Sequence, residues 1–286
     1  MTTLASILMD GIAYGMILFM ISVGLSVTMG LMRVVNLAHG GFAMLGGAFT
    51  HWAMAEAGLP FVPAAVVGLL AVMVLSVPME RVLYRPIYRM GELPQVLATI
   101  GITFIMIASV NLWLGSSLLS IRLPAAMSGA VDLGFRTLPT HRLYVLGAGV
   151  LVIVGLFVLI ERTRFGIKLR AAVDHAGTAA CLGIDTSRIF ALTFALGAGL
   201  AALGGILGAE LLPIDAYYPL RYMILFLTVV AVGGLGSITG SFVAALALGV
   251  LDTAARYLFP DVGTIFFYLA MIVMLGLRPQ GLMGRA

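Results

Sequence analysis

The chain alternates long apolar runs with short polar islands. Nine runs stand out, at residues 4–29, 37–57, 61–80, 94–114, 143–160, 188–211, 222–238, 241–258 and 263–277. An α-helix needs about 20 residues to cross a hydrocarbon core of roughly 30 Å, and the runs are of that order. The runs that begin at 37 and 222 are rich in glycine, which makes them the weakest of the nine as spans. The first run has no basic segment before it and exceeds the roughly 7–15 apolar residues of a signal-peptide core, so it predicts a retained spanning helix. The expectation is an all-α, polytopic transmembrane bundle of about eight or nine spans, with residues 1–286 forming one domain.

Composition strengthens this reading. Hydrophobic residues make up 62% of the chain and charged residues 10%, against roughly 25% charged in an ordinary soluble domain. The net charge of +4 does not point to nucleic acid, because the arginines sit in islands between apolar runs, as loops retained on the cytoplasmic side do. Eleven basic residues (Arg33, Arg81, Arg85, Arg89, Arg162, Arg164, Lys168, Arg170, Arg188, Arg278 and Arg285) fall on one predicted side, against five (Arg122, Arg136, Arg142, Arg221 and Arg256) on the other. Nine spans then put the N-terminus outside and the C-terminus inside.

Two connections are long. Residues 115–142, with Pro124 and Pro139, read as an irregular external loop. Residues 161–187 read as an internal loop whose Ala-rich, amphipathic stretch from Lys168 to Gly183 predicts one surface helix ending at Gly183, suited to a partner and exposing Ala172 and Ala176. The Gly-punctuated stretches Gly30–Gly47 and Gly233–Gly249 each follow a long apolar run and hint at duplicated halves.

Candidate chemistry is sparse. Asn36, His39, Gly40 and Gly41 lie near the inner end of an early span, and Thr228, Gly233, Gly234, Gly236 and Ser237 form a second group. For both groups two readings stand open. Polar groups and irregular backbone can line a translocation path, where protein or water covers them; alternatively, small residues let helices approach and the polar side chains bond across the contact. Asp252 and Arg256 are four apart and predict a structural ion pair. Glu210, Asp215 and Arg221 read as solvated charges of an external turn. The single cysteine, Cys181, excludes an intrachain disulfide, and no residue spacing suggests a metal, a cofactor or a catalytic centre. No phosphate-cradling Gly-Lys-Ser/Thr loop occurs, so any ATP hydrolysis would belong to another chain.

Five motifs taken together resemble a known family. They are Asn36-Leu-Ala-His-Gly40, Thr163-Arg-Phe-Gly166 leading into Arg170-Ala171-Ala172, Gly183-Ile184, Gly233-Gly-Leu-Gly-Ser-Ile-Thr-Gly240 and Arg278-Pro-Gln-Gly-Leu282. In order and spacing they are similar to the permeases of branched-chain amino acid ABC importers, of the LivH type, over essentially the whole chain. The resemblance implies a bacterial inner-membrane importer subunit that works with a second homologous permease, two cytoplasmic ATPases and a periplasmic substrate-binding protein. It also implies that residues 163–187 dock on an ATPase, with Arg164, Lys168, Arg170, Ala171, Ala172, Asp174 and Gly183 as coupling candidates. The general Glu-Ala-Ala signature of ABC permeases is absent; Arg170-Ala171-Ala172 stands in a comparable place. Related permeases carry urea, short amides or other amino acids, so the resemblance leaves the substrate open. Outside this family, an ion-coupled secondary transporter using Asp252 is the competing reading, and an intramembrane enzyme ranks last.

Overall fold

A computed structural model describes residues 2–32, 36–88, 90–132, 137–260 and 262–284. Arg33, Arg89, Arg136 and Arg285, four of the basic residues used above for orientation, lie outside the described residues.

The protein is an all-α polytopic bundle. Its first helices are α1 (Thr2–Met32), α2 (His39–Ala55) and α3 (Phe61–Met79), the last continuing through a π-helical turn, Glu80–Tyr84, into the short α4 (Arg85–Ile87). Next come α5 (Glu92–Leu114), α6 (Ala125–Ser128), strands β1 (Ala130–Asp132) and β2 (Thr137–Pro139), and α7 (Thr140–Arg162). The remainder is α8 (Arg164–Asp174), α9 (Ala176–Cys181), α10 (Thr186–Gly208), α11 (Tyr218–Gly233), α12 (Ile238–Leu258) and α13 (Gly263–Leu277). Each of the nine apolar runs overlaps a long helix. Six of these helices are long and apolar enough to cross a membrane, whereas α2, α11 and α13 have 17, 16 and 15 residues. At about 1.5 Å per residue the shorter ones span less than a full hydrocarbon core.

Side-chain contacts show which helix ends share a face. On one face, Asp10 near the start of α1 pairs with Arg142 at the start of α7 and accepts from the Tyr257 hydroxyl at the end of α12. His141 Nδ1 meets Glu210, just past α10, at 3.0 Å. The backbone of Leu119 bonds Ile214, and His51 near the end of α2 bonds Ser120. Successive long helices therefore run antiparallel, and the other ends gather on the opposite face with α8 and α9.

Helix α1 is the axis of the bundle. It crosses α12 where Gly15 meets Gly249: a Cβ on Gly249 would lie 2.6 Å from the Gly15 backbone. It crosses α10 where Gly24 meets Gly197 backbone to backbone. Without a hydrophobic force between helices in lipid, close backbone approach of this kind is what holds them together. Helices α3, α5 and α7 instead turn apolar side chains outward, with Val74, Leu112 and Leu151 each more than two-thirds exposed.

Both long connections depart from expectation. The 115–142 segment is not wholly irregular: it holds α6 and a two-stranded hairpin pairing Val131 with Leu138, closed by the Thr140 amide on the Gly129 carbonyl. Leu138 is buried and supplies the anchor. The surface helix expected over 168–183 is two helices. It begins earlier because Thr163 caps α8, accepting from the Gly166 amide at 3.4 Å, and it breaks at His175, whose extended backbone (φ −148°) cannot continue a helix. Gly183, at φ +81°, follows the end of α9 in a left-handed conformation suited to glycine.

Candidate functional site

The chain between α1 and α2 carries the most concentrated buried polar network. Asn36 is fully buried, and its Oδ1 accepts from the Ala38 amide and from the Tyr84 hydroxyl, each at 3.1 Å. The Leu37 amide donates to Thr99 Oγ1 at 3.3 Å. His39 Nε2 lies 3.0 Å from the Ile21 carbonyl, which can only accept, so that nitrogen carries the hydrogen. Three elements thus fasten the non-helical backbone before α2: α1 through Ile21, the π-helical turn through Tyr84, and α5 through Thr99. The turn follows Pro78, which lies inside the helix and has no N–H to give.

A cavity of about 10 Å³, the room of a single water, lies between this segment and α11. Asn36, His39 and Gly40 line it with Met223, Phe226 and Leu227 of α11. Asn36 Nδ2, buried, has no hydrogen-bond partner among the described groups. Gly40 lets α11 approach, since a Cβ there would sit 3.3 Å from Pro219 Cα; Gly41 faces the end of the Met106 side chain on α5. The space is narrow and mostly apolar, with Asn36 and His39 as its polar side chains.

The second Gly-rich group is not brought to this cavity. The Thr228 hydroxyl is satisfied within its own helix by Ile224 O at 2.7 Å and touches Met271 Sδ of α13 at 3.0 Å. Gly233 ends α11, Gly234 and Gly236 take positive φ (98° and 80°), and Ser237 caps α12 by accepting from Gly240 N at 3.0 Å. The sequence run to 238 overshoots the helix because the residues after Gly233 stay apolar while the backbone turns.

Helices α8 and α9 project at the face opposite Asp10. Gly166 permits the corner, since any Cβ there would collide with the Ile160 carbonyl, and Arg170 Nη1 donates to that same carbonyl at 2.7 Å while pairing with Glu161 at 3.3 Å. Arg164, Lys168 and Asp174 are exposed and Ala171 is half-buried. Ala172 is not on the exposed face: it is buried with Leu169 against Ile189 of α10. Ala176 is exposed and borders a cleft of about 560 Å³ lined by Arg81, Arg85, Tyr88, Ser187 and Phe190. The Tyr88 hydroxyl donates to buried Glu80 at 3.0 Å, and burial pushes its pKa well above the usual tyrosine range.

Arg256 Nε donates to Asp252 Oδ2 at 2.9 Å, the carboxylate buried and the guanidinium half-exposed. The charges read as a solvated turn are more embedded than expected. Asp215 is buried and bonded by Arg221 at 2.5 Å, and Glu210 holds buried His141. A carboxylate at a tight turn gains more from a nearby guanidinium than from water it cannot reach. Sequence reasoning missed Tyr84, Thr99, Asp10, His141 and Arg142. The partner of each is distant in sequence, so no local spacing marks it.

The family model for the branched-chain amino acid transport system permease component matches residues 7–275. The chain belongs to this permease family. It is 27% identical to the high-affinity branched-chain amino acid transport permease LivH of Escherichia coli (strain K12), over 96% of this chain and 94% of the relative. It is 29% identical to the permease BraD of Pseudomonas aeruginosa, over 97% and 95%, and 24% identical to a probable LivH permease of Methanocaldococcus jannaschii, over 97% and 92%. No solved structure matches. As a member of a transport permease family with several apolar helices, the chain is a multi-pass membrane permease rather than an enzyme.

Proposed function

We propose that this permease is a subunit of an ATP-driven importer of branched-chain or related amino acids in a bacterial inner membrane. Its partners in this reading are a second homologous permease, two cytoplasmic ATPases and a periplasmic substrate-binding protein. The carrying observation is the seat of α8 and α9. They present Arg164, Lys168 and Ala176 outward and rest on α10 through Leu169, Ala172 and Ile189. Helix α10 in turn meets α1 at Gly197 and α2 where Gly205 meets Ala43, backbone to backbone. A force on α8 and α9 therefore reaches both helices that flank the narrow Asn36–His39 cavity. Alternating access follows if the ATPases move α8 and α9 differently in their two states, since a driven change requires a free-energy difference between those states.

Basic residues support placing this face in the cytoplasm. Arg81, Arg85, Arg162, Arg164, Lys168, Arg170, Arg188 and Arg278 lie on it, against Arg122, Arg142, Arg221 and Arg256 on the other, among the described residues. That orientation leaves the N-terminus periplasmic. Asp252, the carboxylate an ion-coupled transporter would use, is held by Arg256.

The test is gentle solubilisation followed by reconstitution. Two ATPases and a second permease should co-purify, and uptake of leucine, isoleucine or valine into vesicles should require ATP. Ala176→Glu should leave the helices intact but break the coupling of hydrolysis to uptake. Uptake driven by an ion gradient alone, or of urea and short amides in place of amino acids, would refute the corresponding part.

A further inference from the structure

Two motifs that stand 45 residues or so apart in sequence meet in the fold: the glycines that end α11, and the Arg278–Leu282 segment after α13. A helix leaves its last four carbonyls without partners in its own ladder. In α11 these belong to residues 230–233. Val230 O is taken by the Gly234 amide at 2.9 Å, but Val232 O and Gly233 O accept from the amides of Leu282 and Met283, at 2.7 and 3.1 Å. The cap of α11 is therefore delivered from the far end of the chain.

The backbone geometry is built for this contact. Gly281 turns at φ +79°, its amide on the Arg278 carbonyl at 2.9 Å. A Cβ on Gly281 would lie 2.6 Å from both the Ala231 carbonyl oxygen and the Gly234 nitrogen, and a Cβ on Gly234 would run into the Gly284 backbone. These are main-chain atoms that cannot swing aside. Leu282 packs its side chain against the core and leaves its amide for α11.

Helix α11 is also a wall of the narrow Asn36–His39 cavity, through Met223, Phe226 and Leu227. We infer that residues 278–284 are a positioning strap for α11: the Leu282 and Met283 amides hold its end in the closed position, and their release accompanies opening of the Asn36–His39 constriction. The inference rests on the reading of that constriction as part of the transport path. It assigns the Arg-Pro-Gln-Gly-Leu motif a task in moving cargo, through α11 and without contact to the cargo itself.

The experiment uses the complete transporter, with its ATPases, in vesicles. Leu282→Pro removes the amide hydrogen; Leu282→Ala keeps it and removes only side-chain packing. Leu282→Pro should lower cargo moved per ATP hydrolysed by about tenfold, the scale of one or two hydrogen bonds withdrawn from one state only, while Leu282→Ala stays near the parent. Equal coupling in Leu282→Pro and the parent, or equal loss in both variants, overturns the strap. Should Leu282→Pro fail to assemble, hydrogen exchange on the unmodified complex decides. The Leu282 and Met283 amides should be protected at rest and lose protection when the ATPases are trapped with nucleotide; unchanged protection overturns the inference. Parent vesicles that take up cargo without ATP would instead count against the importer reading, a separate outcome.

Discussion

The chain breaks its helices in two places with nearly the same wording, small residues next to a few polar ones, and closes the two breaks by different physics. Before α2, side chains do the work: Asn36, Tyr84, Thr99 and His39 reach across from three segments and leave a small void. After α11, the main chain does it: Gly233, Gly234, Gly240 and Gly281 let three backbones touch with little room for side chains. A side-chain closure can be loosened one group at a time and can hold a guest. A backbone closure tolerates almost nothing and can only be made or released. The first break is thus suited to a constriction and the second to a latch.

The sharpest way to break this contrast is at the backbone closure. Gly281→Ala adds a Cβ 2.6 Å from main-chain atoms at a residue with φ +79°. Such a clash and strain should cost about 1–3 kcal/mol or more, since nothing nearby can give way. Thermal unfolding of the detergent-solubilised protein should report it as the largest loss of the set. At the side-chain closure, Asn36→Ala strands the Tyr84 hydroxyl and the Ala38 amide, which predicts a loss of about 1–3 kcal/mol. Tyr84→Phe removes one bond to Asn36 and should cost only about 0.5–1.5 kcal/mol in the same assay. If Asn36→Ala proved harmless while Tyr84→Phe did not, the network would not be centred on Asn36. The smallest effect should come from Gly41→Ala. Its Cβ would meet the end of the Met106 side chain, which has three rotatable bonds with which to move away. A loss there as large as at Gly281 would erase the distinction between the two kinds of closure.

The candidate site was legible in the sequence only unevenly. Asn36 and His39 stood out because polar groups in an apolar run demand an explanation. Their partners did not stand out: Tyr84 and Thr99 are ordinary residues of other helical segments, selected only by the way α3 and α5 lean on α2. The Thr163–Gly166 motif was visible as a pattern. Its reason was not, because the corner it makes depends on the Ile160 carbonyl lying against Gly166. Ala172 looked like part of an exposed helix face, yet α10 covers it, since amphipathicity gives a helix two faces without saying what packs on either.

By itself the sequence determined that the chain lives in a membrane, where its long helices lie, and to which family its motifs belong. Those properties follow from local composition and motif order, because lipid demands apolar length. Only the tertiary structure decided which helices are inside the bundle. In the apolar windows of α1 and α7, 89% and 22% of residues are buried, although α7 is the more apolar of the two. Lipid and protein interior are equally oily, so hydrophobicity places a helix in the bilayer but not within the bundle. That choice falls to glycine contacts such as Gly24 on Gly197, whose partners no local pattern names.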